Sequence, residues 1–297
     1  MPLRDFGLMA LVCFFWATNN VVSKYVVSIL DVPPLFYAFV RFAILAAVTL
    51  PFLFPMPRPR WRIIAVALLM GGGNFTLFFI GLKYSTPSSS AIVLQLGMPI
   101  TTLLSVLILG EKIRWRRGIG ILLTFVGAMT VMWNPDGFLF SPGLLMIAGA
   151  AFMGSLGAVM MKQLEGVKPL TYQAWVGFVS VWPLALLTVW FEPGNVDAAI
   201  AAGWPFAAAI LFSALIVSLG THTAYYVLVQ RHEANLIAAL TLMTPLMTIA
   251  MGVALLGDPF GPRMVLGTIL ALTGVLIIAL RGNQVMPKLL ALWNRAE

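Results

Sequence analysis

The chain has 297 residues, 61% of them hydrophobic and 9% charged, with a formal net charge of +8. A soluble domain carries roughly 45–50% apolar and about 25% charged residues, so this composition excludes a soluble protein and calls for a membrane-embedded one. The single Cys13 excludes an internal disulfide and a cysteine metal cluster, and bases spread along the chain, not gathered on one soluble face, do not make a nucleic-acid surface.

Apolar runs of about 20 residues cross the roughly 30 Å hydrocarbon core. In chain order they lie at 6–27, 34–54, 61–83, 87–109, 116–134, 141–163, 169–190, 204–230, 234–257 and 263–281. The expected fold is an all-α integral membrane protein of ten transmembrane helices. The longest connection, 191–203, is too short for a soluble domain, which confines function to the bundle and its rims. The first run imitates a secretory signal, but no A-x-A-like cleavage site follows and the apolar stretch continues through TNNVVSKYVV. It is read as a span.

Span one places Trp16, Asn19, Asn20 and Ser23 at i, i+3, i+4 and i+7, on one helical face. Such a face is either hydrogen-bonding glue between helices or a cavity wall; two adjacent asparagines beside a tryptophan favour the wall. Arg41 lies inside span two, where it either snorkels to the outer surface or serves function, as a possible contact for a substrate carboxylate. Span three carries Gly71, Gly72 and Gly73, each weakening a helix by roughly 1 kcal/mol. They serve close packing or a hinge beside Asn74 and Phe78, which share a face. Trp175 and Trp182 recur on span seven as core packing or an aromatic wall. On span eight, SLGTHTAYY pairs Thr221 with Tyr225 and His222 with Tyr226 at i, i+4.

Spans four and nine each hold a proline near their centres, in QLGMPI and TLMTPLM. Pro99 and Pro245 crowd the carbonyls of Gln95 and Thr241 and deprive them of their usual donors, which is tolerated at this depth only where protein or a wet cavity satisfies them. The two stretches align, Gly110 falling opposite Gly257, Gly120 and Gly127 opposite Gly267 and Gly274, and PLFYAFV (34–40) opposite PLTYQAW (169–175). Similarity of this kind marks a duplicated unit. Residues 1–135 form one five-span unit and 136–283 the second, followed by a cytoplasmic tail at 284–297. Five spans per unit is odd, so the second unit enters the bilayer inverted, a transporter construction with its substrate near the midplane. Pro99 and Pro245 are then paired hinges.

With the N-terminus inside, the inner segments hold Arg4, Arg58, Arg60, Arg62, Lys112, Arg114, Arg116, Arg117, Lys162, Lys168, Arg231, Arg281, Lys288 and Arg295; the outer segments hold Lys24, Lys83 and Arg263. The positive-inside rule puts both termini in the cytoplasm.

The stretches WATNNVVSKYVV, RFAILAAV, GLKYSTPSSSAIVLQLGMPI and LGEKIRWRRGIGILLTFVGAMTV resemble the EamA-type branch of the drug/metabolite transporter superfamily, and within it the bacterial exporters of aromatic and other amino acids. The resemblance covers nearly the whole chain. It implies ten helices in a bacterial inner membrane, a central cavity lined by both repeats, and metabolite export. The cavity residues expected are Trp16, Asn19, Asn20, Asn74, Phe78, Gln95, Trp175, His222, Tyr225 and Tyr226.

All ten acids fall in loops, tails or span ends. A carrier coupled to protons or binding cationic drugs usually places one mid-membrane, so the expected substrate is neutral or zwitterionic with an apolar body, and transport is facilitative. Small neutral metabolites or drugs are the alternative cargo. An intramembrane enzyme needs paired carboxylates, H-E-x-x-H or a nucleophile with a base; a channel needs a ring-forming charged motif. Neither pattern is present. No cofactor and no metal is expected; the partners are the substrate and the bilayer, with a monomer favoured over a dimer.

Overall fold

The computed structural model describes residues 1–110, 115–134, 139–164, 167–232 and 234–279. The tail at 284–297, and Lys112, Arg114, Arg281, Lys288 and Arg295 of the inner basic set, lie outside the described residues. So do Glu111, Asp136, Glu165, Glu233 and Glu297.

The first half comprises α1 (Leu3–Ser28), α2 (Pro34–Thr49), α3 (Arg60–Ala67), α4 (Asn74–Lys83), α5 (Pro87–Val93), α6 (Gly97–Leu109) and α7 (Trp115–Met132). The second comprises α8 (Pro142–Met161), α9 (Pro169–Phe191), α10 (Asn195–Leu211), α11 (His222–Arg231), α12 (Ala234–Leu240), α13 (Met243–Leu256) and α14 (Pro262–Ala279). Between α7 and α8 an antiparallel bridge pairs β1 (Trp133–Asn134) with β2 (Leu139–Phe140); the other regular elements among the described residues are helical. Nine helices or strings of helical segments among them are long and apolar enough to cross a membrane. They coincide with nine of the runs read from sequence. The remaining run is α7, whose first turn carries Arg116 and Arg117.

The segment expected to be a plain connection at 191–203 is largely helical. Helix α10 starts at Asn195 and turns at Gly203, whose φ of 60° and ψ of −142° are open only to glycine. It then continues through a π-helical segment into α11.

The same irregularities occur in both halves. A π-helical segment joins α3 to α4 (Leu68–Gly73) and another joins α10 to α11 (Phe212–Thr221). A 3₁₀ turn (Leu94–Leu96) separates α5 from α6, and a turn at 241–242 separates α12 from α13. Helices α6 and α13 both end on left-handed glycines, Gly110 at φ 68° and Gly257 at φ 69°. Pro99 and Pro245 accordingly sit in the first turns of α6 and α13, where no intrahelical bond asks for their N–H. The expectation that the carbonyl before Pro245 loses its donor is corrected: Thr241 O accepts the Thr244 N–H at 2.9 Å. The helix breaks ahead of the proline, and the break supplies the missing donor.

Association of helices in lipid rests on van der Waals contact and small residues more than on the hydrophobic effect. Helix α7 packs along α14, α2 along α9, α4 and α6 along α8, and α1 along α13. At the α7–α14 seam the backbones touch: a Cβ on Gly127 would come within 2.4 Å of the Ala271 nitrogen, and one on Gly274 within 2.5 Å of the Gly120 carbonyl. The glycines that match between the two halves therefore serve close packing of α7 on α14. Tyr37, Phe42, Phe75 and Phe79 form an aromatic core between α2 and α4, with Tyr37 and Phe79 centroids 4.8 Å apart.

Helix ends are closed by charges from distant segments. Glu192 takes the N–H groups of Leu35 and Phe36 at 2.9 and 2.8 Å, Asp258 takes that of Ser88 at 3.0 Å, and Lys24 donates to the Leu82 and Lys83 carbonyls at 2.9 and 3.0 Å. Each complements the partial charge of the helix end that it meets.

Candidate functional site

Halfway along α1, the Trp16 ring lies 5.3 Å from that of His222 and 5.1 Å from that of Tyr225. Tyr225 continues to Tyr226 at 6.0 Å, and Tyr226 meets Tyr172 of α9 edge-on at 5.7 Å. A ribbon of rings thus joins both halves of the chain. On span eight it is His222 and Tyr225, three positions apart, that share Trp16, while Tyr226 turns to Tyr172. The π segment preceding them changes what lies upstream: His222 Nδ1 meets the Val217 carbonyl at 2.9 Å and the Ser218 hydroxyl donates to Ser213 O at 3.0 Å, both five residues back.

Beside the ribbon runs a buried polar chain. Ser213 donates to Asn19 Oδ1 at 2.8 Å and lies 2.5 Å from the Tyr37 hydroxyl, which is 3.3 Å from Ser23 Oγ. Asn20 donates to Thr248 of α13 at 3.3 Å. The polar face of span one therefore points inward along its whole length, with Asn19, Asn20 and Ser23 bonded to neighbouring helices. The Trp16 indole Nε1 and Thr223 Oγ1 are buried without a hydrogen-bond partner, as is rare for native polar groups.

Other candidates lie apart from this cluster. Asn74 donates to the Ala150 carbonyl at 2.6 Å, joining α4 to α8. Phe78 is buried against Phe75 and Phe79. Gln95, in the 3₁₀ turn, donates back to the Ala91 carbonyl of α5 at 3.3 Å. Trp175 donates its Nε1–H to Leu53 O at 2.9 Å, closing the turn after α2, whereas Trp182 is 61% exposed. Gly71 and Gly72 meet Ser180: a Cβ on Gly71 would lie 2.1 Å from its hydroxyl oxygen, and the Gly72 N–H donates to it at 2.8 Å. That contact has the geometry of tight packing. Arg41 does not snorkel; it is 1% exposed and turns sideways, donating from Nε to Ser218 Oγ at 2.9 Å.

Reading the sequence missed Tyr37, Tyr172, Ser213 and Ser218. The first two were signalled, since they hold the same place in PLFY and PLTY. The serines were not, because the π segment shifts them out of α-helical spacing. Among the described residues no group of His, Cys, Asp or Glu could hold a metal ion. A groove of about 540 Å³ on α7 and α14, lined by Phe125, Met129, Trp133 and Arg263 among others, touches none of the candidates.

A crystal structure covering 93% of this chain and 96% of its own superposes with a TM-score of 0.61 at 20% identity, a likeness of fold. A "Probable amino-acid metabolite efflux pump" of Salmonella typhimurium is 24% identical over 290 residues, 93% of this chain and 95% of that protein. The "Uncharacterized transporter YvbV" of Bacillus subtilis is 27% identical over 286 residues, 91% and 90% of the two chains. An "Uncharacterized inner membrane transporter YhbE" of Escherichia coli is 27% identical over 252 residues, 79% and 75%. The model of the EamA-like transporter family matches twice, over residues 6–133 and 141–280; the chain belongs to that family.

Proposed function

We propose that this membrane transporter is a facilitative carrier that exports neutral amino acids, aromatic ones included, from the cytoplasm across a bacterial inner membrane. The observation that carries the reading is the Trp16–His222–Tyr225–Tyr226 ribbon, mid-membrane and built from both halves, with the Trp16 Nε1–H unpaired within it. Ring faces take an apolar or aromatic substrate body, and the unpaired donors take its polar atoms. The efflux activity in the printed name of the Salmonella relative and the membrane in that of the Escherichia relative agree with this assignment.

The chain operates as ten spans in two inverted five-helix units, 1–135 and 136–283, with both termini cytoplasmic and the site exposed alternately to either side. The paired π segments, helix breaks and left-handed glycine caps support the repeat. The carrier acts as a monomer and needs no cofactor.

Proteoliposomes loaded with unlabelled tryptophan should accumulate radiolabelled tryptophan or threonine saturably and without chemical change. Absence of counterflow for both, in vesicles shown to contain folded protein, rejects the amino-acid reading. A fusion reporter after Glu297 that is active only in the periplasm rejects the topology.

A further inference from the structure

Arg41 is an intramembrane charge for which the fold supplies no counter-charge among the described residues. The residue is 1% exposed, its Cζ lies 4.7 Å from the Phe75 ring centroid and 6.0 Å from that of Phe79, and its Nε is held by Ser218 at 2.9 Å. Nη1 is buried with no hydrogen-bond partner. The described carboxylates are all near element ends: Asp5 pairs with His232 at 2.7 Å, Asp31 with Lys83 at 3.3 Å, Glu192 and Asp258 cap helices, and Asp197 occupies the first turn of α10.

A guanidinium stays protonated in proteins, so Arg41 cannot relieve its burial by releasing a proton. Aromatic faces offset part of the desolvation, but a buried charge left without a partner is strongly destabilising. The planar fork with one free arm matches a carboxylate. Its position agrees. Ser218 lies in the π segment that runs into α11 at His222, and His222 touches Trp16, so Arg41 and the aromatic ribbon meet the same span four residues apart.

We propose that Arg41 binds the carboxylate of the transported molecule, that Ser218 positions its guanidinium, and that a free carboxylate is obligatory for a substrate of this carrier. The assignment rests on the substrate site described under Proposed function. It names the feature of the amino acid that the site requires, one ionised carboxyl beside an apolar body. Amides, esters and simple amines of the same shape are rejected because they leave the guanidinium unpaired.

The test uses purified full-length protein, with thermal unfolding in the presence of tryptophan or tryptophanamide, and of phenylacetate or phenylacetamide, together with tryptophan counterflow. Both acids should stabilise the parent and neither amide should. Arg41→Gln should abolish the preference for acids and raise KM for tryptophan by about tenfold or more, the scale of a lost charge-assisted pair; Arg41→Lys, which keeps the charge without the fork, should fall between. If Arg41→Gln does not fold, Ser218→Ala decides, raising KM severalfold while the amide stays excluded. Equal stabilisation of the parent by acids and amides overturns the assignment, as does a parental acid preference with unchanged KM in Arg41→Gln or, where that variant does not fold, in Ser218→Ala. Acid-specific stabilisation that Arg41→Gln abolishes, without transport of any amino acid, keeps the Arg41 assignment and rejects the amino-acid reading; transport with no acid preference does the reverse.

Discussion

Asp258 Oδ2 accepts both the backbone N–H of Ser88, at 3.0 Å, and the Ser88 hydroxyl, at 2.5 Å, so that the turn beyond α13 closes the N-terminus of α5. The carboxylate is 8% exposed, and Glu192 serves α2 in the same manner. A cap contributes about 1 kcal/mol, and a partly buried charge at a helix terminus up to about 2 kcal/mol. Asp258→Ala should therefore lower the unfolding temperature of the purified protein, by an amount equivalent to about 2 kcal/mol. Asp197→Ala, at an exposed position in the first turn of α10, should leave it unchanged. Equal effects of the two substitutions would remove the capping explanation.

The α7–α14 seam yields a second expectation. A methyl group at Gly127 meets backbone atoms of Ala271, which have no rotamer through which to withdraw, whereas one at Gly118 meets nothing within 4 Å. Overpacking of this kind typically costs 1–3 kcal/mol. Gly127→Ala should reduce the yield of monodisperse protein and its thermal stability, while Gly118→Ala on the same helix behaves as the parent. Size-exclusion profiles and unfolding curves of the two variants provide the comparison.

Pro99 and Pro245 each follow a break, at 94–96 and 241–242. Alanine at either position removes the ring and supplies an N–H, so that the break can give way to a continuous helix, which stiffens the joint by roughly one hydrogen bond, about 1 kcal/mol. If the joints bend during each cycle, turnover should fall by about fivefold per site, with KM nearly constant and the double variant slower still. Altered KM at full turnover would instead mean that the breaks only shape the site.

Energy coupling can be read from the acids. None of the described carboxylates lies mid-span, and each has the structural place described above. Dissipating the pH gradient at fixed substrate concentrations should leave initial rates unchanged. A severalfold loss would require a proton-binding group that this reading omits.

Much of the fold was legible because hydropathy and glycine spacing act locally. Nine spans among the described residues follow directly from them, and the glycines matched between the two halves meet along one seam. The prolines located the breaks correctly, yet their effect was misjudged: propensity alone treats proline as a defect within a helix, whereas the chain ends one helix and starts another so that Pro99 and Pro245 fall in first turns. Arg41 shows a different limit. Its depth was evident, but snorkelling and a sideways bond to Ser218 differ only in what stands 177 positions along the chain. The Asp5–His232 pair, separated by 227 positions, was invisible for the same reason.

The wide turns at Leu68–Gly73 and Phe212–Thr221 have a kinematic consequence. A π segment is an α-helix with surplus backbone, and surplus can be passed along the chain one residue at a time, like a ruck moved through a carpet. Each step advances a residue by about 1.5 Å and swings its side chain through about 100°, while every hydrogen bond is exchanged and none is left open. Such a shift in span eight would turn Ser213 and Ser218 relative to His222 with the helix kept whole. Rotation within one rod, distinct from bending between two, is thus available to either half of the molecule.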